Sequence, residues 1–294
     1  MKYAIASGKG GTGKTTVSAS LASIWKNPII AVDLDVEEPN LHLFLKPEIS
    51  GSQTATMEIP RIDESKCTYC GKCKDICQFK AISVLANVLL IFPEMCHGCG
   101  GCIAVCPEGA LSVGSRVLGE ISWGSRGRIN FLMGQLRVGE AMSPPLMRAV
   151  KDKLENMIVD SDSDVIIDAP PGVSCPAVNA VMDSDGIILV TEPTPFGVYD
   201  LTLAHKAFAL LDIPMGVVVN RAGIGSSSLY DYCSDSGLPI LAEIPYDRRI
   251  AEAYSNGHII SEYAPEFRNV FIDLADKMNS MTRYRNHAKE AIGV

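Results

Sequence analysis

The run Gly8-Lys9-Gly10-Gly11-Thr12-Gly13-Lys14-Thr15, followed by Thr16, constrains this chain more than any other feature. It fits the pattern G-x-x-x-x-G-K-S/T. It also stands between an apolar stretch that reads as a strand, Tyr3 to Ala6, and one that reads as a helix, Lys14 to about Trp25. Glycines let successive backbone N–H groups turn toward phosphate, and the helix N-terminus adds partial positive charge. In such a loop Lys14 reaches the β- and γ-phosphates and the Thr15 hydroxyl ligates Mg²⁺. A merely tight strand-to-helix turn would explain the string but not its position. Lys9, a second lysine in the loop, repels Lys14 unless it too meets phosphate; otherwise it is a solvated surface lysine.

Short apolar runs broken by amphipathic stretches continue along the chain. Ile29 to Val32, Val165 to Ile167, Ile187 to Val190, Val217 to Val219 and Ile240-Leu241 read as strands. Helices are expected from Pro144-Pro145 onward and near 198–211, 226–236 and 265–278. The pattern predicts an α/β fold, a mostly parallel sheet flanked by helices. From about Ile59 to Arg116 the texture changes, with eight of the ten cysteines and no long helical period. We therefore expect a discontinuous sheet domain, 1–58 and 117–294, interrupted by an α+β module at 59–116. The chain returns from that module through Gly134 and Gly139.

Acidic residues end two of the strands. Asp33-Leu34-Asp35 closes the second, and Asp168 follows Val165 to Ile167 and precedes Ala169-Pro170-Pro171-Gly172. With Lys9 inside the loop, these features resemble the deviant Walker A ATPases of the MinD/ParA/Mrp group, which includes the nitrogenase iron protein. The resemblance covers almost all of the chain outside 59–116. It implies that Lys9 crosses a nucleotide-sandwich dimer to the partner's phosphates, that Asp35 orients or activates the attacking water, and that Asp168 holds Mg²⁺ through water. It also implies nucleotide contacts at Asn220-Arg221, where relatives read the adenine edge with an asparagine, and near Ile244 to Asp247. Strand-end aspartates and asparagines also serve simply as caps and turn formers. ATP is the expected nucleotide, because no Asn-Lys-x-Asp guanine signature occurs.

Cys67-x2-Cys70-x2-Cys73-x3-Cys77 is followed by Cys96-x2-Cys99-x2-Cys102-x3-Cys106-Pro107. This spacing is similar to that of bacterial two-cluster ferredoxins, in which the fourth cysteine of each run ligates the other cluster. The resemblance implies one [4Fe–4S] cluster on Cys67, Cys70, Cys73 and Cys106, and a second on Cys77, Cys96, Cys99 and Cys102. The competing reading is zinc, which also uses paired C-x2-C units, but three cysteines at two successive two-residue gaps and a fourth after three residues, twice over, fit a cluster-wrapping loop better. Gln78 stands where a proline often follows the first run. Cys233 reads as a buried hydrophobe. Cys175, beside the second switch region, lacks the C-x-x-C partner that relatives use for a bridging cluster, so such a cluster would have to rest on this residue alone.

A net charge of −8 gives no footprint for nucleic acid. The N-terminus does not read as a signal peptide, no uncharged run is long enough to span a bilayer, and Arg283 to His287 is basic but scarcely apolar. We expect a cytoplasmic protein without membrane attachment. Three uses of ATP and clusters are open. The first is an ATP-gated redox protein that passes electrons to a partner. The second is a cluster carrier or adaptor. The third is a positioning ATPase whose clusters sense redox state, and the low-charge surface and absent membrane helix disfavour it. All three imply an ATP-dependent homodimer or dimer with a paralogue, and a redox or iron–sulfur client.

Overall fold

The computed structural model describes residues 1–161 and 163–292, and side chains from 283 onward, including Arg283 to His287, lie outside what it describes. Strand β1 (Lys2–Ala6) leads through the glycine loop into α1 (Lys14–Ile24), followed by β2 (Ile29–Asp33), the short α2 (Leu41–Leu45) and the long β3 (Glu48–Ile62). The cysteine-rich segment holds α3 (Lys72–Ile76), the hairpin β4 (Ile82–Leu85) and β5 (Val88–Ile91), and α4 (Gly101–Ala104). The chain returns on β6 (Leu111–Arg126) and β7 (Ile129–Leu136). Alternation then resumes with α5 (Ser143–Ser161), β8 (Asp164–Asp168), α6 (Cys175–Val181), β9 (Gly186–Thr191), α7 (Pro195–Ala209), β10 (Met215–Ala222), α8 (Ser228–Asp235) and β11 (Ile240–Pro245). Helices α9 (Arg248–Ser255), α10 (Ile260–Tyr263) and α11 (Arg268–Ile292) follow.

Among the described residues nine strands form one sheet, in the order β11-β10-β9-β1-β8-β2-β7-β6-β3. It is parallel from β11 to β7, and β6 and β3 add antiparallel at one edge. The central strands are apolar on both faces because both are covered, as parallel sheets require. Ala4, Ile30, Val32, Val165 and Ile167 pack toward α5, α6 and α7, while Tyr3, Ile5, Ile29, Ala31 and Ile166 pack toward α1 and α11. No described helix is long and apolar enough to cross a membrane.

The edges expected at 58/59 and 116/117 fall inside the β3–β6 ribbon, where Met57 stands opposite Arg116 and Glu58 opposite Ser115. Only residues 63–110 project beyond the ribbon. Gly134 and Gly139 are not a loop return together, because Gly134 lies within β7 while Gly139 takes a left-handed conformation after it. Gly134 is required by packing: a Cβ there would come 2.7 Å from Val150 Cγ2 and 2.9 Å from Val36 Cγ1. Both valines are buried and stiff at χ1. Gly134→Ala is therefore expected to destabilise the protein by about 1–3 kcal/mol, read as a lower denaturant midpoint with an unchanged slope.

Candidate functional site

At the carboxyl ends of β1, β2 and β8 the glycine loop folds over into α1. Gly13 adopts φ 98°, and a Cβ there would meet the Asn220 amide nitrogen at 2.4 Å. At Gly8 a Cβ would lie 2.1 Å from the Asp200 carbonyl oxygen, so the loop is seated directly on α7. Lys14 is buried. The Thr15 hydroxyl donates to Asp168 Oδ2 at 2.6 Å, and the Ser18 hydroxyl donates to Oδ1 at 3.0 Å.

Asp33 and Asp168 stand in register on neighbouring strands, both buried. Burial, then the charge of Asp168, pushes the Asp33 carboxyl well above the usual range, and N–H groups of Leu41 (2.9 Å) and Asp35 (3.0 Å) pull the other way. Burial also raises Asp168, against Lys14, Thr15 and Ser18. Asp33 thus ties the segment after β2 to the start of α2, a structural task that sequence reasoning passed over. Asp35 itself faces the cleft. Burial pushes its carboxyl up to about 6, with the Lys14 charge opposing the rise and Asp168 adding to it.

The cleft, about 390 Å³, is lined by Gly13, Lys14, Thr15, Asp35, Asn220 and Tyr246 among others. The loop, Asp35 and the expected base-side residues therefore meet in one place, and Asp168 stands behind Thr15 rather than in the lining. The Asn220 amide is engaged, donating to the Thr12 carbonyl oxygen at 2.8 Å, so it braces the loop. Lys9 lies outside the cleft's lining and is ion-paired to Glu192 Oε1 at 2.6 Å, while Arg221 pairs with Oε2 at 2.8 Å. Burial would raise the Glu192 carboxyl, but Lys9 and Arg221 outweigh it and hold it below the usual range. Sequence reasoning missed Glu192, although it ends a strand as Asp33 and Asp168 do.

The two cysteine runs repeat one geometry at an offset of 29 residues. Gly71 and Gly100 open α3 and α4 in left-handed conformations. Ala81 N–H points at Cys77 Sγ and Ala110 N–H at Cys106 Sγ, each at 3.3 Å, and Gly98 N–H points at Cys96 Sγ at 3.4 Å. Cys77, Cys96, Cys99 and Cys102 line one cavity of about 280 Å³. Cys67, Cys70, Cys73 and Cys106 line a second, narrower one. Burial raises the thiols of Cys73 and Cys102. Among the described residues no three Cys, His, Asp or Glu side chains converge on a point suited to a single metal ion. A cubane needs something wider, since each of its four irons takes its own thiolate. Cys175 is exposed at the start of α6 and lines neither cavity. Cys233 is a core residue whose thiol burial pushes up to about 11.

A glycine loop between a central parallel strand and a helix, faced by two strand-end carboxylates, defines a P-loop nucleotide-binding protein. More narrowly, the chain belongs to the family described as the CobQ/CobB/MinD/ParA nucleotide binding domain, whose model matches residues 3–260. MinD/ParA members of that family are nucleotide-hydrolysing ATPases. Two uncharacterized proteins of Methanocaldococcus jannaschii match over nearly their whole length. MJ0578 is 34% identical over 95% of this chain and 96% of its own, and MJ0579 is 30% identical over 94% and 97%. An iron–sulfur cluster carrier protein of Aquifex aeolicus is 24% identical over 47% of this chain and 43% of its own. The fold is also that of the septum site-determining protein MinD from Pyrococcus horikoshii, solved with Mg-ADP, with a TM-score of 0.59 and 22% identity over 94% of both chains.

The raised Asp35 carboxyl has a consequence for the nucleotide-free protein. Between the unfolded value of 3.8 and the folded value of about 6 the unfolded chain ionises first, so stability falls as pH rises through this window and stays reduced above it. Asp35→Asn removes the effect. At pH 7.5 it is expected to raise stability by on the order of 1–2 kcal/mol after solvent screening, while at pH 3.5 the two proteins melt alike. Melting temperatures of both across pH 3.5–8 test this.

Proposed function

We propose that the chain is a MinD/Mrp-type ATPase in which residues 63–110, carried on the β3–β6 ribbon, hold two resident [4Fe–4S] clusters, and that its ATP cycle gates electron transfer to a partner protein. The observation that carries this reading is the lining of the two cavities: each has three cysteines of one run and the fourth of the other. That is the crossed arrangement the resemblance to two-cluster ferredoxins implies. All eight donors are thiols, N–H groups already point at Cys77, Cys96 and Cys106, and glycines 71 and 100 take the left-handed conformation that opens α3 and α4. These features fit the group. When bound, the clusters supply one-electron chemistry.

Crossing also favours retention over delivery. Each set is closed with four protein thiolates, and release of either cluster would loosen a ligand of both runs. This argues against the carrier reading that the partial match to the Aquifex protein raises.

At the other site, loop N–H groups and Lys14 bind the ATP phosphates. Thr15 and Asp168 offer hard oxygen ligands that suit Mg²⁺, which would neutralise phosphate charge. Asp35, with its carboxyl near 6, is suited to orient water. Lys9 is latched by Glu192 within one chain, and we assign its release to dimer formation, where it reaches the partner's phosphates. Two full-length relatives in one organism fit a dimer with a paralogue as well as a homodimer.

Anaerobically isolated protein is expected to contain about eight irons and eight sulfides. Cys77→Ala is expected to damage the cluster of the opposite run, lowering iron toward four. Stoichiometric zinc without labile sulfide would overturn the assignment.

In an Asp35→Ala background, which traps bound ATP, Lys9→Ala is expected to suppress Mg·ATP-dependent dimerisation by light scattering while leaving nucleotide affinity within about threefold. Equal dimerisation with and without Lys9 would return it to an ion pair of structural use only.

A further inference from the structure

The segment that follows Asp35 does not lead to the cysteines only along the chain. The Val36 carbonyl oxygen accepts the N–H of Leu136 at 2.8 Å, continuing the β2–β7 pairing past the end of the strand, and Arg137 N–H donates to the Leu118 carbonyl oxygen on β6 at 2.9 Å. The Arg137 guanidinium then stands 3.4 Å from Glu140 Oε2 and 3.9 Å from Glu94 Oε1. Glu94 lies two residues before Cys96, in the turn Pro93–Met95 that accepts the Cys96 N–H.

The Glu140 side chain is buried, accepts the Met142 N–H at 3.1 Å, and pairs with Arg116, also buried. Arg116 is opposite Met57 across the ribbon. On the other side of Cys96, Gly98 rests on that same stretch, so tightly that a Cβ would meet the Glu58 carbonyl oxygen at 3.0 Å and Met57 Cγ at 3.2 Å. The loop carrying Cys96 is therefore contacted on both sides: Glu94 before it lies in an exposed ion pair with Arg137, and Gly98 after it sits on β3 opposite Arg116.

One feature makes this joint suited to two arrangements. The Nε and Nη2 groups of Arg116 are buried and have no hydrogen-bond partner among the described residues. Unspent donors on a buried guanidinium are costly, so an arrangement that gives them an acceptor competes with the one observed. Interfaces of this kind switch between discrete states rather than deforming continuously.

We propose that Arg137, with the Arg116–Glu140 pair, positions the Cys96 loop according to the state of the segment after Asp35, so that nucleotide is sensed at the cavity of Cys77, Cys96, Cys99 and Cys102 rather than at its twin. This rests on the proposed cluster function and deepens it, naming which centre answers to ATP and through which side chains. Arg137 is a positioning residue. It touches neither the nucleotide cleft nor a cysteine cavity by lining, and it is exposed enough for substitution without unfolding.

The test is a redox titration followed by electron paramagnetic resonance, on full-length protein with Mg·ADP and with a non-hydrolysable ATP analogue. One cluster is expected to change its reduction equilibrium about fivefold or more between the two states, at about 59 mV per tenfold. Oxidised and reduced protein are expected to differ by the same factor in the ratio of analogue affinity to ADP affinity. In Arg137→Ala both differences collapse to unity, with iron content and hydrolysis rate retained. In Cys77→Ala, which keeps only the other cluster, the shift is lost as well.

A full shift in Arg137→Ala, or one that survives in Cys77→Ala, overturns the proposal. Hydrogen exchange over residues 94–98 in both nucleotide states provides a readout that needs no cluster: the analogue is expected to change protection there in the parent protein and not in Arg137→Ala. Iron and sulfide measured on the same preparations separate a failed cluster assignment from a failed joint.

Discussion

Two carboxylates in register on adjacent strands, Asp33 and Asp168, are buried side by side at the end of the parallel sheet. Such a pair is unfavourable unless neighbours compensate it, and the neighbours that do so are the parts of the nucleotide site. Lys14, Thr15 and Ser18 answer Asp168, and the N–H groups of Asp35 and Leu41 answer Asp33. The glycine loop, the strand ends and the segment leading to α2 are therefore held in one mutual arrangement. Adding nucleotide phosphates and a divalent cation changes the charge at its centre, and the function proposed above places the nucleotide response in the segment after Asp35.

The edge of the sheet turns that local arrangement into a longer reach. β7 pairs with β2 beside the site, β6 pairs with β7, and β3 with β6, so the ribbon bearing the cysteines is an extension of the nucleotide-binding sheet rather than an appendage on a flexible linker. Glycine makes the close pairing feasible. A Cβ at Gly119 would sit 2.0 Å from the Gln135 carbonyl oxygen, and one at Gly124 2.1 Å from that of Glu48.

Those same glycines explain what the sequence concealed. The buried strands β2, β8 and β9 were legible because they are continuous apolar runs, and the glycine loop because its string and its context agreed. β3 and β6 were not legible: Glu48 to Ile62 is largely polar and exposed, with no apolar run to mark it, and β6 carries glycines that read as turns although they serve strand contact. The edges expected near 59 and 116 were drawn where composition changed, whereas the chain leaves the ribbon at Ile62 and rejoins it at Leu111. At the site, the grouping of Lys14, Thr15, Asp35 and Asp168 was anticipated. The Lys9–Glu192–Arg221 network was not, since an ion pair between residues 183 positions apart leaves no local signal.

Iron anomalous scattering from anaerobically grown crystals tests the crossed cysteine sets most directly. Two separate four-iron peaks are expected, one bonded to Cys67, Cys70, Cys73 and Cys106 and the other to Cys77, Cys96, Cys99 and Cys102. Clusters bonded within single runs, a single cluster bridging two chains, or isolated mononuclear metal peaks would contradict it.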